Sequence, residues 1–491
     1  MSNYVETTPE QVFDNSFWSI LKEAVKGSNR DFKKGSIGLA IFLLSVPMIL
    51  EMVMESLFAV VDIFFVAHLG ADAVAVVGIT EAMMAIIYAV AFGLAIGATA
   101  TVARRIGEKN EAGAARAAAH ILYLGLFISV LISVIGVIFA PIFLSLLGGE
   151  PQVIERGTTF TRIMLGGNAV VIFIFLLNAI FRGAGDAAIA MRVLWLANGL
   201  NIFLAPNFIY GNKIFAFLGI NAPQWLVDNW IFPELGVTGA AVGTTIGRGI
   251  GVLFAAWCLF GRGGRITVVR ENFTFNPKLL WSLVKLSSTA VLQLIIATAS
   301  WSALVRVVAG FGSEAIAGYI IGLRVIMFAL LPALGLSNAA ATLVGQNLGA
   351  GKPERSEQAV WKAAFFNAAF YGAIGLIFIF FAHEIVGIFT DEQIVVTYGT
   401  DCLQIVSYGF LFYGFGMVLE TAFNGAGDTW TPTYLNLFIF WLFEIPLAYL
   451  LAYYFGLGPQ GVFWAITVAF SVLAIASALL FRRGKWKTKV V

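Results

Sequence analysis

Three acidic residues, Glu51, Glu55 and Asp62, lie inside the first long apolar run of this 491-residue sequence. Their separations of four and seven residues place them on one stripe of an α-helix. A carboxylate inside the hydrocarbon of a bilayer is costly, so it usually marks an ion or substrate pathway or is paired within the structure. The position of Asp62 favours a functional role, whereas Glu51 and Glu55 fit a functional role and a neutral or arginine-paired state equally well.

The composition indicates that the elements carrying these residues are membrane helices. Hydrophobic residues make up 59% of the chain and charged residues only 12%, whereas soluble domains carry about 25% charged residues. Apolar runs of about 20 residues, the length that crosses a bilayer, recur along the chain. The composition excludes a water-soluble fold and predicts an all-α polytopic membrane protein. The cysteines and histidines are scattered, so neither a disulfide nor a metal centre is expected.

Twelve transmembrane helices are predicted when the chain is divided at its charged and Gly/Pro-rich joints. Their ranges are 36–67, 73–103, 115–139, 158–181, 187–211, 236–260, 279–309, 314–346, 357–382, 397–424, 430–455 and 460–481. The predicted organisation is a cytoplasmic N-terminal segment with an interfacial helix (1–35), an N-lobe (36–260), a cytoplasmic linker (261–278), a C-lobe (279–481) and a basic cytoplasmic tail (482–491).

Lysine and arginine residues concentrate in one set of the predicted loops. If both termini are cytoplasmic, the outside segments hold only Arg156, Arg162 and Lys213. The inside segments then hold most of the other basic residues, including Arg104, Arg105, Arg182, Arg192 and the basic tail. By the positive-inside rule, we expect a multi-pass protein of the plasma (cell inner) membrane with both termini in the cytoplasm.

The tetrapeptide Gly-Ala-Gly-Asp occurs at 183–186 and again at 425–428, an offset of 242 residues. The same offset carries LGADAVA from Leu69 onto FGSEAIA from Phe311, and RIGEKN from Arg105 onto NLGAGK from Asn347. Each tetrapeptide by itself predicts a tight turn. The repeat predicts two parallel six-helix lobes with a central cleft, the usual arrangement for alternating access in secondary transporters.

The two halves carry different polar groups. At the repeat offset, Asn178 of the fourth helix aligns with Glu420 of the tenth, and an isoleucine of the fifth aligns with Glu444 of the eleventh. We therefore predict that Glu420 and Glu444 bind substrate or protons in the C-lobe. Neutralisation of these glutamates by Arg306 or Arg324 is the alternative.

No motif for a chemical reaction is present. The sequence lacks a Walker motif, a dinucleotide fingerprint, a nucleophile elbow and a metalloprotease helix. An enzyme is not expected, and an ion gradient is a simpler energy source than ATP, which would need a partner chain. We expect H+ or Na+ as the coupling ion, no other cofactor, and amphipathic small molecules and the lipid bilayer as partners. No nucleic acid is expected as a partner, and the protein is expected to function as a monomer.

The order of five segments resembles the multidrug and toxic compound extrusion (MATE) family over nearly the whole chain after residue 35. These segments are VPMILEMVMESLFAVVDIFFVAHLG from Val46, NAIFRGAGD from Asn178, NIFLAPNFIYG from Asn201, GVTGAAVGTTIGR from Gly236 and IPLAYLL from Ile445. The resemblance implies a twelve-helix antiporter that exports amphipathic, often cationic compounds against an inward flow of Na+ or H+.

The resemblance also implies a cation pocket in the first lobe. Asp62 is similar to the family's aspartate of helix 1, Asn178 to its asparagine of helix 4, and Thr244 to its threonine of helix 6. Asn201 begins a segment similar to the family's N-I-x-L-D-P pattern of helix 5. Ala205 stands where that pattern has aspartate, so this chain lacks one carboxylate of the family pocket.

The missing carboxylate bears on the choice of coupling ion. Na+ prefers several oxygen ligands, whereas a proton needs only one carboxylate whose affinity is raised by desolvation. We therefore expect H+ coupling through Asp62, hydrogen-bonded through Asn178 and Asn201. Glu51 or Glu55 could supply the missing oxygen, so Na+ coupling stays open.

A flippase for lipid-linked oligosaccharides is the alternative function, because it shares the arrangement of two parallel lobes. It would need cationic groups in the central cavity to bind a pyrophosphate. The candidates within the predicted helices are Arg248, Arg306 and Arg324. The acidic stripe of the first helix disfavours this alternative.

Overall fold

The computed structural model describes residues 16–261 and 264–490, and its regular elements in these ranges are all helices. Residues 1–15 of the predicted N-terminal segment, 262–263 of the predicted linker and Val491 lie outside the described residues.

The first half of the chain forms six spans that follow a short helix, α1 (Phe17–Lys26). The spans are α2 (Ile37–Ala67), α3 (Ala71–Gly107), α4 (Glu111–Leu146), α5 (Pro151–Gly166) with α6 (Asn168–Ala184), α7 (Ala187–Tyr210) and α10 (Val237–Phe260). Two short helices, α8 (Ile214–Phe217) and α9 (Gln224–Asp228), lie between α7 and α10.

The second half repeats this order. Its helices are α11 (Pro277–Val308), α12 (Ser313–Gly349), α13 (Pro353–Gly387), α14 (Gln393–Ser407) with α15 (Phe410–Gly425), α16 (Trp430–Asn436) with α17 (Ile445–Tyr449), and α18 (Pro459–Arg482). The span of α16 and α17 is continuous through two π-helical stretches, Leu437–Glu444 and Leu450–Tyr454. Among the described residues, eleven helices are long and apolar enough to cross a membrane, and the bent pair α14–α15 makes up to twelve. The predicted all-helical polytopic fold is confirmed.

Several helices differ from the predicted ranges at their ends and in their continuity. The fourth predicted helix is divided into α5 and α6 at Gly167, and the tenth is bent by 59° between α14 and α15. In contrast, α4 continues through Pro141, seven residues beyond its predicted end. A long apolar helix tolerates an internal proline when its neighbours satisfy the freed backbone groups.

A row of glycines joins α10 to α7. Gly239, Gly243, Gly247 and Gly251 recur every four residues, a spacing that predicts the close approach of a second helix. In the structure a Cβ on Gly243 would lie 2.6 Å from the Cα of Ala205, and one on Gly247 would lie 2.8 Å from the carbonyl oxygen of Ala197. The close helix packing is confirmed.

The two Gly-Ala-Gly-Asp segments form turns at the ends of α6 and α15. Their second glycines, Gly185 and Gly427, have φ angles of 88° and 84°, in the left-handed region that favours glycine. Both turns are therefore confirmed as chain reversals.

The aspartate of each turn also pairs with a basic residue. Asp186 pairs with Arg265, whose Nε lies 3.4 Å from the Asp186 Oδ1. Asp428 pairs with Lys489, whose Nζ lies 3.1 Å from the Asp428 Oδ1. Each partner comes from the segment that follows the last span of the same half, so each turn ties that segment to its own lobe.

The two halves meet where α3 crosses α12. A Cβ on Gly107 would lie 2.9 Å from the Cα of Gly349 and would collide with the carbonyl oxygen of Gln346. A Cβ on Gly349 would in turn lie 3.0 Å from the Cα of Gly107. Gly107 and Gly349 are equivalent in the 242-residue repeat, so the crossing follows the symmetry of the two lobes.

Two hydrogen bonds beside this crossing obey the same symmetry. Arg104 Nη2 donates to the carbonyl oxygen of Ala426 at 3.3 Å, and Gln346 Nε2 donates to that of Gly183 at 3.0 Å. Residues 104 and 346 are repeat equivalents, and each binds the Gly-Ala-Gly-Asp turn of the other half. We call this end of the helix bundle, with Arg104, Arg265 and Lys489, the basic face.

Replacement of Gly107 by alanine is expected to weaken the contact between the lobes. The added methyl group would overlap α12, a kind of overpacking that costs about 1–3 kcal/mol. Gly78→Ala on the same helix is the matched control, because a Cβ there meets nothing within 4 Å. Thermal unfolding of the purified variants should show a lower midpoint for Gly107→Ala and no loss for Gly78→Ala; equal midpoints would contradict the tight crossing.

Candidate functional site

Glu51 of α2 is fully buried and binds two side chains of α6. Its Oε1 accepts from Arg182 Nη1 at 2.8 Å and from Asn178 Nδ2 at 3.1 Å. Asn178 and Arg182 are four residues apart, so they lie on one face of α6. Arg182 is itself only 4% exposed. It is therefore the buried partner of Glu51, in the last turn of α6 next to the Gly-Ala-Gly-Asp turn.

Glu55, one turn further along α2, binds side chains of α7 and α10. Its Oε1 accepts from Arg248 Nη2 at 2.7 Å, and its Oε2 accepts from Asn198 Nδ2 at 2.8 Å. Arg248 is fully buried. Its guanidinium lies 4.8 Å from the ring centroid of Phe58, and its Nη1 donates to the Tyr88 hydroxyl at 3.4 Å. These contacts hold Arg248 in place as the counterion of Glu55.

Asp62 is the third acid of α2, and it lacks such a partner. Its Oδ1 is buried and has no hydrogen-bond partner among the described residues. The charged groups that act on it electrostatically are Glu81 and Arg248. Because Arg248 is bonded to Glu55, Asp62 remains the acid of this stripe that can exchange a proton without breaking an ion pair.

The other residues of the expected cation pocket form separate pairs. Asn201 Nδ2 donates to Thr244 Oγ1 at 2.8 Å, whereas Asn178 is bonded to Glu51. The Oδ1 atoms of Asn178 and Asn201 are buried without a hydrogen-bond donor among the described residues. These oxygens are acceptors that water or a cation can use. No hydrogen bond among the described residues joins either pair to Asp62, so the expected hydrogen bonds of Asp62 with Asn178 and Asn201 are not formed.

Ala205, at the position of the missing carboxylate, is 1% exposed and lies against Gly243. The Cα of Ala205 lies only 2.6 Å from where a Cβ on Gly243 would be, so α7 and α10 are in close contact at this position. Neither Glu51 nor Glu55 supplies a free replacement, because each already binds an arginine.

Glu444 in the second half is fully buried at the end of the π-helical stretch Leu437–Glu444. Neither of its carboxylate oxygens has a hydrogen-bond partner among the described residues. Glu444 acts electrostatically on Tyr319 and Tyr413, and the buried hydroxyl of Tyr319 also lacks a partner in the described part of the chain. Buried polar groups are normally satisfied, so this cluster is a candidate site for a proton or a ligand.

Glu420 accepts a hydrogen bond from the side-chain amide of Asn436. In the orientation that satisfies its hydrogen bonds, Asn436 donates to Glu420 Oε1 at 2.6 Å. Arg306 and Arg324 form no ion pair with either glutamate among the described residues. Both arginines are exposed on α11 and α12, so the alternative that they neutralise Glu420 or Glu444 was wrong.

Each half of the chain matches the model of one known protein family. The family model described as MatE matches residues 47–207 and again 290–450, one match in each half of the repeat. The chain belongs to the MatE family. Both matches include the acids described above: Glu51, Glu55 and Asp62 lie in the first, and Glu420 and Glu444 lie in the second.

Relatives of this MatE chain are described as multidrug transporters. A probable multidrug resistance protein NorM from Thermotoga maritima is 25% identical over 91% of this chain and 93% of its own length. A probable multidrug resistance protein YoeA from Bacillus subtilis is 26% identical over 93% and 96%. The multidrug export protein MepA from Staphylococcus aureus is 24% identical over 91% and 94%.

Solved MATE structures have the same fold. A crystal structure of MATE in complex with MaL6 has a TM-score of 0.84 at 27% identity, covering 94% of this chain and 99% of that one. An outward-facing multidrug resistance MATE transporter of the MOP superfamily has a TM-score of 0.85 at 26% identity, with coverage of 94% and 99%. A MOP superfamily transporter from Pyrococcus furiosus, described as having a binding pocket of reversed polarity, has a TM-score of 0.84 at 26% identity, with coverage of 94% and 98%.

Sequence reasoning missed Asn198 and the specific roles of Arg182 and Arg248. A signal for the arginines was present, because both lie inside apolar helices and a buried charge needs an opposite charge nearby. Arg182 also follows Asn178 by one helical turn. The sequence did not show which acid faces which arginine, since that depends on how α6 and α10 are rotated against α2.

Removal of Arg248 is expected to destabilise this MatE protein more than removal of a lysine from an exposed ion pair. Loss of one member of a buried pair costs about 3–5 kcal/mol, because the other charge stays buried. Arg248→Met should therefore lower the thermal unfolding midpoint, and Glu55→Gln in the same chain should restore part of the loss. Lys213→Ala is the control, since Lys213 and Glu234 are 67% and 47% exposed and such pairs contribute at most about 1 kcal/mol. Equal losses for Arg248→Met and Lys213→Ala would contradict the buried pairing.

Proposed function

We propose that this protein is a proton-coupled antiporter that exports amphipathic, often cationic compounds by alternating access of its two lobes. Membership of the MatE family and the multidrug-transport descriptions of its relatives support export of such compounds. The inward flow of protons supplies the energy, and Asp62 is the coupling carboxylate.

One observation carries this assignment: Asp62 is the acid of the α2 stripe without a hydrogen-bonded arginine. Glu51 and Glu55 are bound by Arg182 and Arg248 at 2.8 and 2.7 Å. A charge change on either would leave a buried arginine without its partner, which is strongly unfavourable. Protonation of Asp62 carries no such cost, so this residue can change charge during a transport cycle.

The same geometry disfavours Na+. A sodium site needs several oxygen ligands, and the position of one carboxylate is taken by Ala205.

The location and orientation of the protein are part of the proposal. The protein spans the inner membrane of the cell. By the positive-inside rule, its basic face lies on the cytoplasmic side. The reciprocal contacts at Gly107 and Gly349 then close the cytoplasmic end. A monomer suffices for transport.

Replacement of Asp62 by asparagine is expected to abolish coupled export. The variant keeps the shape of the side chain but cannot bind and release a proton. The protein should be reconstituted into proteoliposomes, and export of a cationic dye should be followed with a pH gradient alone and with a Na+ gradient alone.

The wild-type protein should respond to the pH gradient, and Asp62→Asn should respond to neither gradient. Asp72→Asn is the control, because Asp72 lies near the other end of the bundle in an exposed pair with Arg156. Full transport by Asp62→Asn would refute the coupling role, and transport driven by Na+ alone would refute the choice of ion.

A second candidate, a flippase for lipid-linked oligosaccharides, is favoured by Arg306 and Arg324. These residues are exposed and form no ion pair among the described residues, so they could bind a pyrophosphate. Arg248 is no longer a candidate, because Glu55 neutralises it.

Substrate charge separates the two candidates. For the antiporter, Glu420→Gln and Glu444→Gln should weaken export of a cationic dye more than export of a neutral one, because each removes a carboxyl group that can pair with a bound cation. Arg306→Gln and Arg324→Gln should leave export of the cationic dye intact. If instead the arginine variants abolish translocation of a pyrophosphate-linked lipid and the glutamate variants change nothing, the flippase is the correct function.

A further inference from the structure

A groove of about 890 Å³ lies on the surface of the second half, between α13, α15 and α18. Its walls are mostly aromatic and aliphatic side chains, among them Trp361, Phe365, Leu411, Phe412, Phe415 and Ile475. Phe365 and Ile475 are 68% and 53% exposed. Because these helices span the membrane, the groove faces lipid rather than water.

The equivalent groove of the first half, between α4, α6 and α10, is covered at one end by the chain itself. Phe273, in the segment after α10, packs 5.5 Å from the ring of Tyr123 and 6.3 Å from that of Phe260. The hydroxyl of Tyr123 donates to the carbonyl oxygen of Phe273 at 3.1 Å. Val268 of the same segment is 2% exposed and donates its N–H to Leu259. The segment between the halves therefore plugs the end of this groove next to Phe260, whereas Leu126 and Phe127 further along α4 stay exposed.

The repeat shows what replaces the plug in the second half. Tyr123 is equivalent to Phe365 at the 242-residue offset, and Phe260 ends the 24-residue helix α10 as Arg482 ends the 24-residue helix α18. Phe365 and Arg482 both line the open groove. Where the first half has the aromatic side chain of Phe260, the second half thus has the positive charge of Arg482 at the mouth of an apolar groove.

The mouth of the groove carries a net positive charge. Glu357, its acidic lining residue, is neutralised by Lys487, whose Nζ lies 2.6 Å from Oε2, and it also accepts from Trp361 Nε1. Arg482 is exposed and forms no ion pair within the described part of the chain. Arg483 follows it directly.

We propose that this groove binds one anionic phospholipid from the leaflet on the side of the basic face. Its acyl chain packs against Phe365 and Phe415, and its phosphate pairs with Arg482. Basic pockets between membrane helices are suited to anionic head groups, and an apolar groove next to the charge accommodates the attached chain. The positive mouth disfavours a cationic amphiphile, and the plug of the first half supports an elongated apolar occupant.

Native mass spectrometry of the purified full-length protein, titrated with phosphatidylglycerol and with phosphatidylcholine, tests this proposal. The wild-type protein should bind a first phosphatidylglycerol more tightly than phosphatidylcholine. Arg482→Gln should weaken phosphatidylglycerol about fivefold, the effect of one basic residue near a lipid phosphate. It should weaken phosphatidylcholine less, because the choline cation already offsets the charge of its phosphate. Ala478→Trp should fill the groove and weaken both lipids.

Two control variants distinguish the groove from a general effect of charge or bulk. Arg483→Gln removes the neighbouring charge, and Val468→Trp adds the same bulk to an exposed position of α18 outside the groove; both should bind as the wild-type protein does. Equal losses for Arg482→Gln and Arg483→Gln would show a diffuse surface charge. Unchanged binding by both Arg482→Gln and Ala478→Trp would also overturn the proposal, and the exposed Arg482 variant keeps the test valid if the tryptophan variant fails to fold.

Discussion

The crossing of α3 and α12 at Gly107 and Gly349 sets how the two halves of this protein can meet. No side chain separates the helices there, so their backbones are in contact. The hydrogen bonds of Arg104 and Gln346 lie beside the crossing, and they are equivalent to each other in the 242-residue repeat. Rotation of one lobe away from the other would break both bonds together, which favours a transition between two discrete arrangements over a gradual opening.

Within the first lobe, the arginines divide the acids of α2 into two kinds. Glu51 and Glu55 are held in buried ion pairs by Arg182 and Arg248 at 2.8 and 2.7 Å. These pairs also tie α2 to α6 and α10, so they contribute to the structure of the lobe. Asp62 is left without such a bond. The three acids of α2 look alike in the sequence. In the structure, Glu51 and Glu55 are parts of ion pairs, and Asp62 is the acid suited to change its charge.

Much of the fold could be predicted because it depends on local pattern. Apolar runs separated by polar joints specify membrane helices, and the repeated Gly-Ala-Gly-Asp turns relate the two halves. The bends at Gly167 and between α14 and α15 were not predictable in this way, since they depend on contacts with neighbouring helices. The candidate site was predicted in part: Asp62, Glu420 and Glu444 follow from the cost of a charge in an apolar helix, whereas their partners do not.

The sequence by itself determined that this chain crosses a membrane as two related bundles, and which helices carry acids. Hydrophobicity and spacing along one helix express these properties directly. Only the tertiary structure decided which acids are neutralised, because pairing depends on the rotation of one helix against another. It also decided that Phe273 plugs one end of the groove of the first half, whereas the groove of the second half is open at Arg482. Equivalent helices can therefore present different surfaces, since the segments that pack on them differ.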